Sequence, residues 1–150
     1  GHIHQTEASP VLHLEHLNLV VRDIPATLKF YQAAFPHWQV RGEGESDWYG
    51  KKRNWIHFGD DYQYLTFNDR GEGENRDIKG VQLGLGHFAF VTSDIDGVVA
   101  RLAEAGFPID KPGANAQYRD NLYYIDPNGY EVEFVQYRSD QPKERNLYED

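Results

Sequence analysis

The chain contains neither cysteine nor methionine among its 150 residues. Without cysteine there are no disulfides, no thiolate ligands and no cysteine nucleophile, so any bound metal must be held by nitrogen and oxygen. Long apolar runs are missing too: nothing approaches the ~20 consecutive apolar residues of a membrane-spanning helix, and no charged-then-apolar leader opens the sequence. Positive charge is scarce. Fifteen Lys and Arg stand against 24 Asp and Glu, giving a formal net charge of −9, and the only basic run is Lys51-Lys52-Arg53. Such a surface repels nucleic acid and anionic membranes. These absences point to a soluble, cytoplasmic protein whose partner is a small molecule. With no methionine even at position 1, Gly1 reads as the remnant of a cleaved tag, and His2 and His4 fall in a polar leader without chemistry.

What is present is an internal repeat. His16-Leu17-Asn18-Leu19-Val20-Val21-Arg22-Asp23-Ile24 and His87-Phe88-Ala89-Phe90-Val91-Thr92-Ser93-Asp94-Ile95 carry histidine, apolar residues, valine, aspartate and isoleucine at matching offsets, 71 positions apart. A repeat of this length implies two structural modules, and a chain of this size holds them as a single domain.

Each copy reads as β-α-β-β-β. In the first, Leu12–Arg22 alternates like a strand, Asp23 and Pro25 suit a helix start, and Leu28, Phe30, Tyr31 and Phe35 give the helix an apolar face that Pro36 ends. Strands are expected at His37–Arg41, Arg53–Phe58 and Tyr62–Asn68, with turns at Gly42–Ser46 and Gly59–Asp61. The second copy repeats the order. It has a strand at Gly86–Thr92, a helix at Asp94–Ala105 stopped by Gly106, and strands near Pro108–Lys111, Asn121–Ile125 and Tyr130–Tyr137, the last two joined by the turn Asp126-Pro127-Asn128-Gly129. Module one thus covers about 12–69, a Gly-rich charged linker 70–80, module two about 84–138, and a polar tail or dimer arm 139–150.

Strand alternation sorts the faces. Leu17, Leu19, Val21, Leu65, Phe67, Phe88, Phe90, Val132 and Phe134 form an apolar side for the two helices. His16, Asn18, Tyr62, Tyr64, Thr66, His87, Glu131, Glu133 and Tyr137 fall on the other. Two imidazoles and a carboxylate from three strands, His16, His87 and Glu133, make the facial arrangement that holds a divalent ion and leaves positions open. His13, His37 and His57 fit surface or supporting roles. Overlaying the closing strands sets Tyr64 where module two has Glu133; a neutral phenol is a poor ligand, so Tyr64 reads as a hydrogen-bond donor to substrate or a wall of its site. Glu131 is the weaker acidic candidate, and Tyr123 a second hydrogen-bonding group. Trp48, Trp55 and Phe58 are candidates for an apolar wall.

The paired modules, the His16 and His87 strands, Phe30-Tyr31 and Asp126-Pro127-Asn128-Gly129-Tyr130-Glu131-Val132-Glu133 resemble the vicinal oxygen chelate superfamily, over about residues 12–137. That group includes glyoxalase I, fosfomycin-resistance thiol transferases, extradiol dioxygenases, methylmalonyl-CoA epimerase and bleomycin-resistance proteins. The resemblance implies an α+β fold of two βαβββ modules, with curved mixed sheets and helices on the outer face. It also implies a homodimer and an Fe, Mn, Zn or Ni ion on His16, His87 and Glu133. Activity does not follow from fold. Tyr64 stands where glyoxalase I has a glutamate, and Asn115 where extradiol dioxygenases have an acid–base histidine; the two-histidine, one-glutamate set is similar to that of the fosfomycin-resistance enzymes, without their cation-rich loop. The expectation is a metal-dependent lyase, thiol transferase or dioxygenase. The alternative is a metal-free binding protein of the bleomycin-resistance type.

Overall fold

The computed structural model describes residues 11–148, so His2 and His4 lie outside the described residues. In chain order the elements are β1 (His16–Val20), α1 (Ile24–Ala34), β2 (Gln39–Trp48), β3 (Lys51–Gly59), β4 (Tyr64–Asn68), β5 (Phe88–Val91), α2 (Ile95–Glu104), β6 (Lys111–Pro112), β7 (Arg119–Ile125), β8 (Glu131–Tyr137) and α3 (Pro142–Arg145). Two four-stranded sheets result, ordered β1-β4-β3-β2 and β5-β8-β7-β6. In each, the opening strand lies parallel to the closing one and the remaining pairs are antiparallel. The repeat seen in sequence is therefore a repeat of topology.

The chain separates into two compact units, and the helices do not divide evenly between them. One unit takes the described residues through Pro25 with Pro36–Glu72; the other takes Ala26–Phe35 and the described residues from Gly73 onward. Helix α1, encoded in the first repeat, thus packs with the second sheet. Its buried positions are Thr27, Phe30, Tyr31 and Ala34, the i, i+3, i+4, i+7 stripe of an amphipathic helix. Phe30 meets Phe107 and Tyr124 edge-on, and Phe35 meets Phe90 and Phe134. Helix α2 is set by its ends: the Asp94 carboxylate accepts a hydrogen bond from the Gly97 amide at 3.0 Å, and Gly106 follows at φ +97°.

Several expectations change. The Gly42–Ser46 segment is strand, not turn: β2 runs through it and pairs with β3 as far as Trp48 and Lys51. The turn is Tyr49-Gly50, whose φ values of 52° and 87° suit a two-residue hairpin connection between twisted strands. Gly44 serves instead as clearance, since a Cβ there would come within 2.9 Å of the Trp55 indole that crosses it. The opening strand is also shorter than Leu12–Arg22, because Val11, Leu12 and Leu14 are exposed and only His16–Val20 pairs with β4. Finally, the tail contains the short helix α3.

Alternation places the cores. Leu19, Ile56, Phe58, Leu65 and Phe67 are buried in the first unit, and Phe88, Tyr124, Val132 and Phe134 in the second. Phe58 is consequently a core residue, packed on Trp38 and Phe67. It cannot share a wall with Trp55, three positions earlier on the same strand.

Candidate functional site

The polar face of the second sheet gathers ionisable groups around one histidine. His87 directly precedes β5, and Glu131 and Glu133, two apart on β8, project to the same side. Register places Tyr123 opposite Glu133 and Ile125 opposite Glu131. The His87 Nε2 lies 3.1 Å from Glu133 Oε1, and its Nδ1 lies 3.5 Å from Glu131 Oε1. Both carboxylates are buried. The second oxygen of each has its own partner: the Asn121 amide donates to Glu133 Oε2 at 2.8 Å, and the Lys111 ammonium pairs with Glu131 Oε2 at 3.0 Å.

Tyr123 stands edge-on to His87, ring centroids 5.4 Å apart, with the Lys111 ammonium 5.0 Å above its ring. Burial, then the Glu133 and Glu131 charges, push the Tyr123 hydroxyl above the ordinary tyrosine range. It therefore stays protonated and is a hydrogen-bond donor rather than a base. The hydrogen bond to Glu131 raises Lys111 in turn and holds its charge.

Two donors each about 2.1 Å from one ion and about 90° apart lie about 3 Å from each other. The His87–Glu133 separation of 3.1 Å fits that spacing, and nitrogen with carboxylate oxygen suits a divalent transition metal.

The polar face of the first sheet is different in kind. His16 stacks on Tyr64 with centroids 4.6 Å apart, Tyr64 on His57 at 4.5 Å, and Trp55 leans on His57 at 4.9 Å. Adjacent strands supply these rings in order, β1, β4, then β3. The Arg41 guanidinium lies 4.4 Å from the Tyr64 ring centre, a cation–π contact. Burial, then the Arg41 and His16 charges, lower the His57 pKa and favour its neutral form. His16 Nδ1 is 2.9 Å from Glu15 Oε1, which leaves Nε2 as the nitrogen directed elsewhere.

The structure thus brings together His87, Glu133 and Tyr123 from the expected site residues, and separately His16 with Tyr64. Among the described residues no three His, Cys, Asp or Glu side chains converge as a metal-binding group. Tyr62 is exposed and precedes β4. Sequence reasoning passed over Asn121, Lys111 and Arg41, and gave His57 no place beside Tyr64. Strand alternation could have found Asn121, two before Tyr123, and His57, two after Trp55. Lys111 and Arg41 come from a two-residue strand and a β-bulge, which leave no periodic signal.

A family model described as the Glyoxalase/Bleomycin resistance protein/Dioxygenase superfamily matches residues 13–134. No match is found among curated proteins. Among solved structures, a glyoxylase/bleomycin resistance protein/dioxygenase domain from Frankia sp. EAN1pec superposes with a TM-score of 0.70 at 20% identity, over 91% of this chain and 98% of that one. A glyoxalase family protein from Enterococcus faecalis gives 0.62 at 22% identity, over 83% and 95%. The genomically encoded fosfomycin resistance protein FosX from Listeria monocytogenes, complexed with Mn(II) and sulfate ion, gives 0.62 at 16% identity, over 90% and 98%. The chain, with its two βαβββ modules, belongs to the glyoxalase/bleomycin resistance protein/dioxygenase superfamily.

Proposed function

We propose that this protein is a metal-dependent enzyme in which His16, His87 and Glu133 hold a divalent ion and an oxygen-bearing small molecule is the substrate. The observation that carries the reading is the 3.1 Å approach of His87 Nε2 to Glu133 Oε1, with Asn121 fixing the other carboxylate oxygen. The Mn(II) named in the FosX complex supports the choice of manganese as the first ion to test. When bound, such an ion supplies Lewis acidity to a substrate oxygen. This chain's own residues do the rest. Tyr123, whose ring stands edge-on to His87, would donate its hydroxyl hydrogen to the substrate oxygen as charge develops on it. Tyr64, wedged between His16 and His57, keeps its ring fixed and offers its hydroxyl to the substrate. His87 is the one histidine of the second unit, so as a ligand it is not free to shuttle a proton. With Asn115 where extradiol dioxygenases have an acid–base histidine, lyase or transferase chemistry fits better than ring cleavage.

The test is metal content and Mn2+ affinity of chain lacking any His-bearing leader. His16→Ala, His87→Ala and Glu133→Gln each empty the site, whereas Tyr64→Phe retains the ion and lowers turnover. Loss of the ion from Tyr64→Phe as complete as from Glu133→Gln makes tyrosine a fourth ligand and overturns the three-ligand set.

A second reading, a metal-free small-molecule-binding protein, is favoured by the ring ladder of His16, Tyr64, His57 and Trp55 with Arg41. Wild-type protein that takes up no Mn2+ selects it. Either reading extends to a homodimer, for which exposed Val81, Leu83 and Val91 supply apolar surface. Sedimentation at micromolar concentration gives twice the chain mass if so, and the chain mass if not.

A further inference from the structure

We infer that Glu131, held by Lys111, is the positioning residue that orients His87. The inference rests on His87 and Glu133 being metal ligands. The carboxylate of Glu131 is buried and ion-paired through Oε2 to Lys111 at 3.0 Å, while its Oε1 faces His87 Nδ1 at 3.5 Å. On the other side of the ring, Nε2 faces Glu133. One imidazole is thus bracketed by two carboxylates of the same strand, two residues apart.

The two carboxylates have different duties because their surroundings differ. Glu133 has a neutral partner, the Asn121 amide, with no cation beside its second oxygen. Glu131 has a charged partner in Lys111, so its local field is largely compensated and it is an acceptor more than a cation ligand. A histidine ligand needs one nitrogen's hydrogen committed elsewhere so that the other nitrogen presents its lone pair. Glu131 takes that hydrogen from Nδ1. The ring then has a single productive orientation, with Nε2 toward Glu133. Lys111 acts one step further out: it fixes the Glu131 rotamer, and it sits over Tyr123, so one ammonium braces both the histidine's anchor and the hydrogen-bond donor.

The test uses Mn2+ alone as probe, together with 15N spectra of the His87 ring in metal-free protein. The expected result for Glu131→Ala is a 10–100-fold loss of Mn2+ affinity and loss of the Nδ1-protonated signature. Glu131→Gln, which keeps the shape and an acceptor oxygen, restores most of both, and Lys111→Met gives a smaller, few-fold loss. If Glu131→Ala binds Mn2+ as wild type does and keeps the His87 signature, while His87→Ala abolishes binding, the positioning role is wrong and the ligand assignment stands. If His87→Ala binds Mn2+ as wild type does, the ligand assignment has failed instead. The His87 ring signature in Glu131→Ala then decides whether Glu131 orients the histidine at all. Glu131→Gln also covers the case in which the alanine variant fails to fold.

Discussion

The Tyr31 hydroxyl donates a 2.7 Å hydrogen bond to Asp126 Oδ2, joining residues 95 positions apart. Tyr31 lies on α1, and Asp126 opens the turn between β7 and β8. The other oxygen of Asp126 accepts from the Asn128 and Tyr130 amides, and the Asn128 side chain donates to the Thr27 hydroxyl. A helix encoded in the first repeat is thereby fastened to the turn that sets the register of β8, which carries Glu131 and Glu133. Burial raises both groups, Tyr31 well above the ordinary tyrosine value and Asp126 above the ordinary aspartate value.

Tyr31→Phe removes the donor and leaves a buried carboxylate oxygen short of one partner. A hydrogen bond to a charged group is worth about 1.5–3 kcal/mol, and we expect a loss of that size in urea unfolding. Each kcal/mol lowers the melting temperature by roughly 2–4 °C in a chain of this length. A loss below about 0.5 kcal/mol would show that water replaces the phenol without cost.

The pH dependence has a definite sign. Asp126 binds its proton more tightly folded than unfolded, so stability falls as pH rises from the unfolded value near 3.8 through the higher folded one. Tyr31 behaves likewise above its unfolded value of 10.0: the unfolded chain ionises first, and stability falls again. Asp126→Asn keeps an acceptor for the two turn amides and should flatten the acidic limb, and Tyr31→Phe the alkaline one. Unfolding free energies measured from about pH 3 to about pH 11, a range that brackets both ordinary values, check both. An acidic limb unchanged in Asp126→Asn assigns the dependence to other carboxylates.

How far the sequence could be read depends on whether a residue's role is local. Asp94, Gly106 and Asp126-Pro127-Asn128-Gly129 act on their own neighbours, and the structure places a cap, a stop and a turn there. Gly42 and Gly44 signal a turn by composition, yet Gly44 makes room for an indole on the adjacent strand, a contact across the sheet that local reading does not contain. Phe30 and Tyr31 were legible as the centre of the α1 face, whereas Thr27 and Ala34, rather than Leu28 and Phe35, complete its buried stripe; its packing with the second sheet was not legible, because Phe30 and Tyr31 would look the same against either. Glu131 shows the same division. Its side of β8 follows from Glu133, but its partner Lys111 comes from a two-residue strand that periodicity cannot register.

His57 offers a check on the first unit's polar face. Burial and then Arg41 and His16 lower its pKa, so its ring resonances should titrate below the ordinary histidine value of 6.5. Arg41→Met should move the midpoint upward by part of that shift, leaving the contribution of burial in place. A midpoint unmoved by Arg41→Met would mean that the guanidinium does not rest over Tyr64 in solution.

Gly113 and Asn121 supply the last prediction. The Gly113 amide donates to the Asn121 carbonyl at 2.9 Å, which pins the two backbones together, and a Cβ on Gly113 would fall on the Asn121 side-chain amide. The backbone bond restrains retreat of the main chain, so in Gly113→Ala the Asn121 side chain must rotate and release Glu133 Oε2. Gly113→Ala and Asn121→Ala then do the same thing by different routes: each leaves the Glu133 carboxylate without its neutral partner and free to turn away from His87. Each should weaken Mn2+ binding by about 10-fold or somewhat more, the range for a partner that orients a ligand. The double variant should be no worse than either single change, since residues acting through one hydrogen bond are not additive. Calorimetric titration of wild type, both single variants and the double variant measures this directly. Losses that multiply in the double variant would show that Gly113 acts on the site by some path other than Asn121.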